Sequence, residues 1–292
     1  MSAPRVVAVT GAGRGLGREH ALLLAGLGTA VVVNDLGDAA DEVVAEIVAA
    51  GGQAVADHSD VSDWEAAKGL VDTALAAFGA LHGLVNNAGI LRDSLLANLD
   101  GKDWDDVVQV HLTGHAAPLH WAAQHWRARA KAGEGEPAAV VNTTSTSGLL
   151  GQVGQANYGA AKAGIATLSM IAAAELGRYG VRVNCIAPAG RTRLTEDVPG
   201  MEEMVKRPDD PDAFDRWDPA NVAPVVAYLV GPDCPLTGQT FFVHGGRIQI
   251  FRPWWPGPVL GQDRRWTVDE LAAELPGFVD QHHQPVPALE GL

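Results

Sequence analysis

Val6-Val7-Ala8-Val9-Thr10 runs straight into Gly11-Ala12-Gly13-Arg14-Gly15-Leu16-Gly17, and the reading of this junction decides the fold. The first segment is continuously apolar and β-branched, which suits a strand covered on both faces. Four glycines then fall within seven residues, and Leu16 to Leu27 follows with a helical pattern. Glycine lets the backbone turn sharply and come close to a ligand. A helix N-terminus placed behind such a turn offers free N–H groups and the positive end of a dipole, the arrangement that holds a pyrophosphate. A tight turn with no ligand is the bland alternative, and the glycine density directly after the first strand argues against it. The spacing is T-G-x-x-x-G-x-G rather than G-x-G-x-x-G, because Leu16 and Arg18 stand where the second form needs other residues.

Working outward, short β-branched runs alternate with longer Ala-rich stretches. Ala30 to Asn34, Gln53 to Ala56, Gly83 to Asn86, Ala138 to Asn142, Val181 to Ile186 and Thr240 to Val243 read as further strands. Asp38 to Ala50, Ser62 to Phe78, Trp104 to Lys131 and Ala156 to Arg178 read as helices. Strands alternating with helices predict an α/β fold, a doubly wound parallel sheet with helices on both faces. The second strand ends at Asn34-Asp35, about 20 residues beyond the glycines. A carboxylate at Asp35 can accept from both adenosine ribose hydroxyls and would repel a ribose phosphate, so NAD is the expected cofactor. Arg14, inside the turn, pulls the other way, since a base there could meet a phosphate.

Composition excludes several classes. The formal net charge of −14 gives no basic surface for nonspecific nucleic-acid binding. Hydrophobic residues at 47% and charged residues at 19% support a large buried core. Two cysteines, Cys185 and Cys234, without a close-spaced partner motif, predict neither a disulfide framework nor a metal site. The start, Met1 to Pro4, carries no secretory pattern, and no apolar run reaches the roughly 18 residues of a spanning helix, so a cytoplasmic protein with no membrane partner is expected.

Tyr158 and Lys162, in Asn157-Tyr158-Gly159-Ala160-Ala161-Lys162, lie four apart and share one helix face. An ammonium beside a phenol favours the phenolate and lowers its pKa, which suits a proton donor and acceptor near neutral pH. An ordinary surface Tyr/Lys pair would look the same in isolation.

Taken together, Thr10 to Gly17, Asn86-Asn87-Ala88-Gly89, Ser145 and Tyr158-x-x-x-Lys162 resemble the short-chain dehydrogenase/reductase family in order and spacing, over about residues 5–246. The resemblance implies one Rossmann-like domain at 1–246 with a mainly parallel seven-stranded sheet, pro-S hydride transfer, and assembly as a homotetramer or homodimer. It implies Tyr158 as general acid/base, Lys162 on the nicotinamide ribose, and Ser145 on the substrate oxygen. It implies that Gly11, Arg14, Gly15, Leu16, Gly17, Asp35, Asn87, Ala88 and Gly89 line the dinucleotide, with Asp60 and Val61 at the adenine edge. Pro188 begins the loop over the nicotinamide, with Thr192 or Thr195 as its contact. Residues 195–220, acidic and Pro-rich, match the family's substrate loop.

Two departures stand out. Val110-His111-Leu112 places His111 where the family has an asparagine serving a water-mediated proton relay, so His111 is either catalytic or structural. Pro188-Ala189-Gly190 replaces the usual Pro-Gly and shifts the register of the threonine that follows. Val31 to Gly37, Asn86 to Asp93 (NNAGILRD), Val110-His111-Leu112 and Gly154 to Tyr158 resemble one subgroup, the (3R)-hydroxyacyl-CoA dehydrogenase unit of peroxisomal multifunctional enzymes and its actinobacterial relatives. That subgroup implies NAD and a secondary alcohol on an acyl thioester or a steroid-like ring. An NADPH-linked 3-oxoacyl carrier-protein reductase and a catalytically silent dinucleotide-binding regulator are the alternatives. Residues 247–292 form a C-terminal extension expected to lie outside both the sheet and the resemblance. It carries Arg252-Pro253-Trp254-Trp255-Pro256, and Thr267 with Glu270 reads as a capping box.

Overall fold

The computed structural model describes residues 4–192, 203–210, 212–252, 256–282 and 289. Its strands are β1 (Val6–Thr10), β2 (Ala30–Asn34), β3 (Gln53–Asp57), β4 (Gly83–Asn86), β5 (Ala138–Thr143), β6 (Val181–Ala189), β7 (Thr240–His244) and β8 (Arg247–Phe251). Its helices are α1 (Gly15–Gly26), α2 (Ala39–Ala49), α3 (Lys68–Phe78), α4 (Gly101–Val108), α5 (Gly114–Lys131), α6 (Thr146–Leu150), α7 (Ala156–Leu176), α8 (Ala223–Val230) and α9 (Val268–His282).

The strands form one eight-stranded sheet in the order β3-β2-β1-β4-β5-β6-β7-β8. The seven expected strands run parallel, and β8 pairs antiparallel with β7. The continuous apolarity of the strands has a direct cause. Val7 and Val9 of β1 pack into one core with α1, α2 and α8, while Val6 and Ala8 pack into another with α3, α5 and α7. Both faces of the strand are buried, so alternation disappears. The chain winds outward from β1 in both directions, which opens a crevice beyond the carboxyl ends of β1 and β4, the usual ligand position in such sheets.

Three expectations are corrected, and one helix was not foreseen. Arg247 to Phe251, read as part of an extension outside the sheet, is strand β8, because the short turn after β7 returns the chain along that strand. The stretch Trp104 to Lys131 is not one regular helix. It begins at Gly101, where Asp100 caps the N–H of Asp103 at 2.7 Å, and a π-helical turn, Gln109–Thr113, separates α4 from α5. The helix expected from Ser62 starts at Lys68, since Asp60 and Asp63 accept the N–H groups of Ser62, Glu65 and Ala66 and hold tight turns. Helix α8 went unread because its sequence is almost wholly apolar and shows no helical stripe.

Residues Arg252–Leu292 form a second unit. There Thr267 and Glu270 exchange the reciprocal bonds of a capping box, 2.9 and 3.3 Å, at the start of α9. Trp254, Trp255 and Thr195 lie outside the described residues. Among the described residues no helix is long and apolar enough to cross a membrane.

Candidate active site

The glycine turn is built as its sequence requires. Gly11 and Gly15 have φ of +61° and +52°, a region costly for other residues. A Cβ on Gly17 would stand 2.2 Å from the Gly11 carbonyl oxygen, so only glycine lets α1 start this close to the turn. Arg14, exposed and extended, occupies the N-cap of α1 without a side-chain cap bond, and the first turn holds no acid. Such an end favours an anion. Asp35, at the tip of β2, accepts from the Gly13 N–H at 3.0 Å. Thr10 Oγ1 accepts from the N–H groups of Asn87 and Ala88 at 2.9 and 3.1 Å, which ties the segment after β4 to the turn. Leu16 lies against Gly190, and the Thr192 methyl lies against Gly15. Asp60 accepts from Ser62, while Val61 is buried in the core. An uncapped helix end, a glycine cradle and a carboxylate at the end of β2 fit a dinucleotide.

Beyond the carboxyl end of β5, Ser145 caps α6, accepting from Ser147 N–H at 3.2 Å, and its side chain stands close enough to Tyr158 to act on the phenol. Tyr158 and Lys162 lie one turn apart on α7, with Nζ 5.5 Å from the phenol ring centroid. Lys162 is buried and donates to the Thr143 carbonyl at 2.7 Å. A Cβ on Gly148 would stand 2.5 Å from Ala163 N, so α6 can lie on α7 only because that residue is glycine. The expected lowering of the phenol pKa is not what this geometry gives. Burial dominates and pushes Tyr158 up to about 12, outweighing the Ser145 hydroxyl that lowers it, and the Asp93 charge raises it further. Burial likewise brings Lys162 down to about 7. Desolvation acts on both partners and weakens the ammonium that was to stabilise the phenolate.

His111 sits in the π-helical turn and is 1% exposed. Its Nε2 lies 3.0 Å from the Ile90 N–H and 2.7 Å from the Ile90 carbonyl, while its buried Nδ1 has no partner. Burial, then the nearby Lys162, holds it well below the usual histidine range, hence neutral. The imidazole therefore grips the backbone just beyond Asn87 to Gly89 and stands beside Tyr158.

This crevice lies within the part of the chain, residues 5–202, that matches the short chain dehydrogenase family. The chain belongs to the short-chain dehydrogenase family. Its relatives include the hydroxyacyl-CoA dehydrogenase ChsB1 of Mycobacterium tuberculosis, 43% identical over 93% of this chain and 87% of that protein. They also include the peroxisomal multifunctional enzyme type 2 of Mus musculus, 41% identical over 85% of this chain but 32% of that longer protein. A crystal structure of a short chain dehydrogenase from Mycobacterium avium superimposes with a TM-score of 0.88 at 45% identity, covering 98% of each chain. The protein is accordingly an oxidoreductase of a family that acts on CH–OH groups with a nicotinamide dinucleotide.

This short-chain dehydrogenase also holds site residues that the sequence reading passed over. Gln155 donates to Asp93 at 2.8 Å and accepts from Ser147 at 2.7 Å, joining the loop after β4 to α6. Asn157 ties the carbonyls of Arg92 and Asp103 to the start of α7. Asn86, Asn142 and Ser169 form a buried chain under the crevice. His115, one turn beyond His111, is fully buried with neither ring nitrogen paired. The four-residue spacing of the two histidines was visible in the sequence; the polar chains join residues too far apart in sequence to be seen there.

Proposed function

We propose that this short-chain dehydrogenase is an NAD-dependent enzyme interconverting a secondary alcohol and a ketone on a 3-hydroxyacyl-CoA or hydroxysteroid-type substrate. The observation that carries the reading is the gathering of Ser145, Tyr158 and Lys162, with Ser145 acting on the phenol and Lys162 one turn away, in the crevice that the glycine turn and Asp35 border. The similarity to a hydroxyacyl-CoA dehydrogenase along nearly the whole chain supports the substrate class.

In this reading Gly11, Arg14, Gly15, Leu16 and Gly17 hold the pyrophosphate, and Asp35 the adenosine ribose. Asp60, Val61, Asn87, Ala88 and Gly89 flank the adenosine. Tyr158 and Lys162 meet the nicotinamide ribose, with Pro188 and Thr192 or Thr195 beyond it. The bound dinucleotide supplies the hydride acceptor. Ser145 orients the substrate oxygen by hydrogen bonding. In reduction the Tyr158 phenol gives its proton to the substrate oxygen; in oxidation Tyr158 first loses its proton to solvent, and the phenolate then takes the hydroxyl proton. Lys162, whose ammonium titrates near neutrality, can hold or release a proton one turn behind. His111 fixes the segment after β4 through Ile90 and leaves Nδ1 for a relay water. The enzyme works as a homotetramer or homodimer in the cytoplasm.

A second reading, an NADPH-linked 3-oxoacyl carrier-protein reductase, draws on Arg14, which stands exposed in the turn where a ribose phosphate could meet it. The test is an NADH-absorbance assay with NAD and NADP against (3R)-hydroxyacyl-CoA thioesters and hydroxysteroids. Turnover of one of these classes with NAD is expected. A clear NADP preference supports the second reading, and dinucleotide binding without turnover supports a silent regulator.

A further inference from the structure

Arg191 follows directly on the residues that border the glycine turn, and it is held by a set of bonds that the dinucleotide reading does not use. Its guanidinium forms an ion pair with Asp215, with side chains 8% and 19% exposed. The same guanidinium donates to the Val205 carbonyl at 2.7 Å, and the Arg191 N–H donates to the Trp217 carbonyl. Asp215 in turn accepts from the Trp217 N–H at 3.0 Å, and its own carbonyl accepts from Asn221 at 2.8 Å. Trp217 is buried against His244 at the end of β7, with ring centroids 4.5 Å apart. On the other side, a Cβ on Gly190 would lie 3.4 Å from Pro219 Cα and 3.5 Å from the Leu16 side chain. The pair therefore ties Arg191, one residue past Gly190 beside the cofactor turn, to Asp215 in the stretch that the sequence assigns to the substrate.

We propose that Arg191 and Asp215 are a positioning pair that couples dinucleotide binding to substrate binding. The inference rests on the reading of the glycine turn as the dinucleotide site. A largely sheltered charge pair supports such a role because removing one partner leaves the other charge poorly compensated, so the two segments shift rather than tolerate it. Because the pair holds the segments that border both sites, its loss weakens both ligands.

The test measures NADH binding by fluorescence titration and steady-state kinetics with NAD and a (3R)-hydroxyacyl-CoA, on the full-length protein. Asp215→Asn keeps the shape and the acceptor for Trp217 and removes the charge. It is expected to raise the NADH Kd and the acyl-CoA KM by about tenfold each, with kcat within about twofold and an unchanged pH profile. Asp215→Glu should recover much of both. If Asp215→Asn does not fold, Arg191→Lys, which keeps the charge but loses the fork, reads the same two constants. A folded variant in which either constant stays at the unmodified value overturns the coupling, as does a change in melting temperature alone. Unmodified protein that binds no NADH overturns the dinucleotide reading itself, which separates the two failures.

Discussion

The His111 imidazole stands edge-on to the Tyr158 ring, with centroids 5.1 Å apart and planes at 86°. The same imidazole holds Ile90 through Nε2 and fills the space that a side chain at Gly89 would need, since a Cβ there would come within 2.3 Å of Cε1. Two consequences are expected. His111→Ala should lower kcat by about tenfold and leave the Ile90 backbone unpaired, at a cost of about 1–3 kcal/mol. Gly89→Ala should destabilise the protein by a similar ~1–3 kcal/mol, and less when combined with His111→Asn, because the overlap is with the ring. Thermal denaturation of the single and double variants checks this. Additive effects of the two substitutions would show that the imidazole is not what excludes a side chain at residue 89.

Tyr158→Phe is expected to leave dinucleotide binding near its unmodified value and to lower kcat by roughly 10²–10⁴. Lys162→Ala should impair both. Single-turnover rates and NADH titration separate the effects. Near-normal turnover in the Phe variant would remove Tyr158 from the proton step.

Asp35→Asn is the sharper probe of cofactor choice, because the amide oxygen can still accept from Gly13 while the charge is lost. Repulsion of a ribose phosphate in a partly desolvated site is worth on the order of 1–3 kcal/mol, roughly 5- to 150-fold in kcat/KM. The unmodified enzyme should therefore prefer NAD, and the variant should narrow the gap. Equal kcat/KM for NAD and NADP in the unmodified enzyme would move the emphasis to Arg14.

Lys162 gives a pH dependence of stability with a definite sign. Its native value of about 7 lies below the ordinary 10.5, so between those values the unfolded chain binds more protons than the native one. Stability therefore rises with pH across that window, as the cost of burying the ammonium is relieved. Tyr158, raised to about 12, acts oppositely above pH 10, where the unfolded phenol ionises first. In melting experiments on dinucleotide-free protein, Lys162→Met should be stabilising relative to the unmodified chain near pH 7, and the advantage should shrink toward pH 9. A difference that does not change with pH would place the lysine's titration elsewhere.

The C-terminal unit supplies the last prediction. Two adjacent tryptophans, Trp254 and Trp255, seldom stand exposed on a soluble monomer, and Trp is a favoured anchor between subunits. Ending the chain after Phe251 keeps all eight strands. If the extension bridges subunits, the shortened protein sediments as a smaller assembly and shows a raised KM for bulky substrates. Unchanged sedimentation and kinetics would confine the unit to its own subunit.

Much of this protein was legible because its signals are local. Most of the seven parallel strands were continuous apolar runs, the glycine turn was a single stretch, the Tyr158 and Lys162 pair followed from spacing, and Ser145 from the family resemblance. The misses have separate causes. Helix α8 lacks a polar face to mark its period, and β8 has a neighbour only because the chain turns back on β7. The start of α3 moved because Asp60 and Asp63 compete locally for backbone N–H groups.

The sequence by itself determined a doubly wound sheet with a glycine turn, a carboxylate after the second strand and a Tyr/Lys pair on one helix face. Each of these depends on residues close together in the chain, where propensity and periodicity act. Only the tertiary structure decided that burial overrides the expected Tyr/Lys charge effect, that His111 is neutral and grips Ile90, and that Arg191 meets Asp215. Those outcomes depend on desolvation and on contacts between segments far apart in sequence, and both come into being only when the chain is packed.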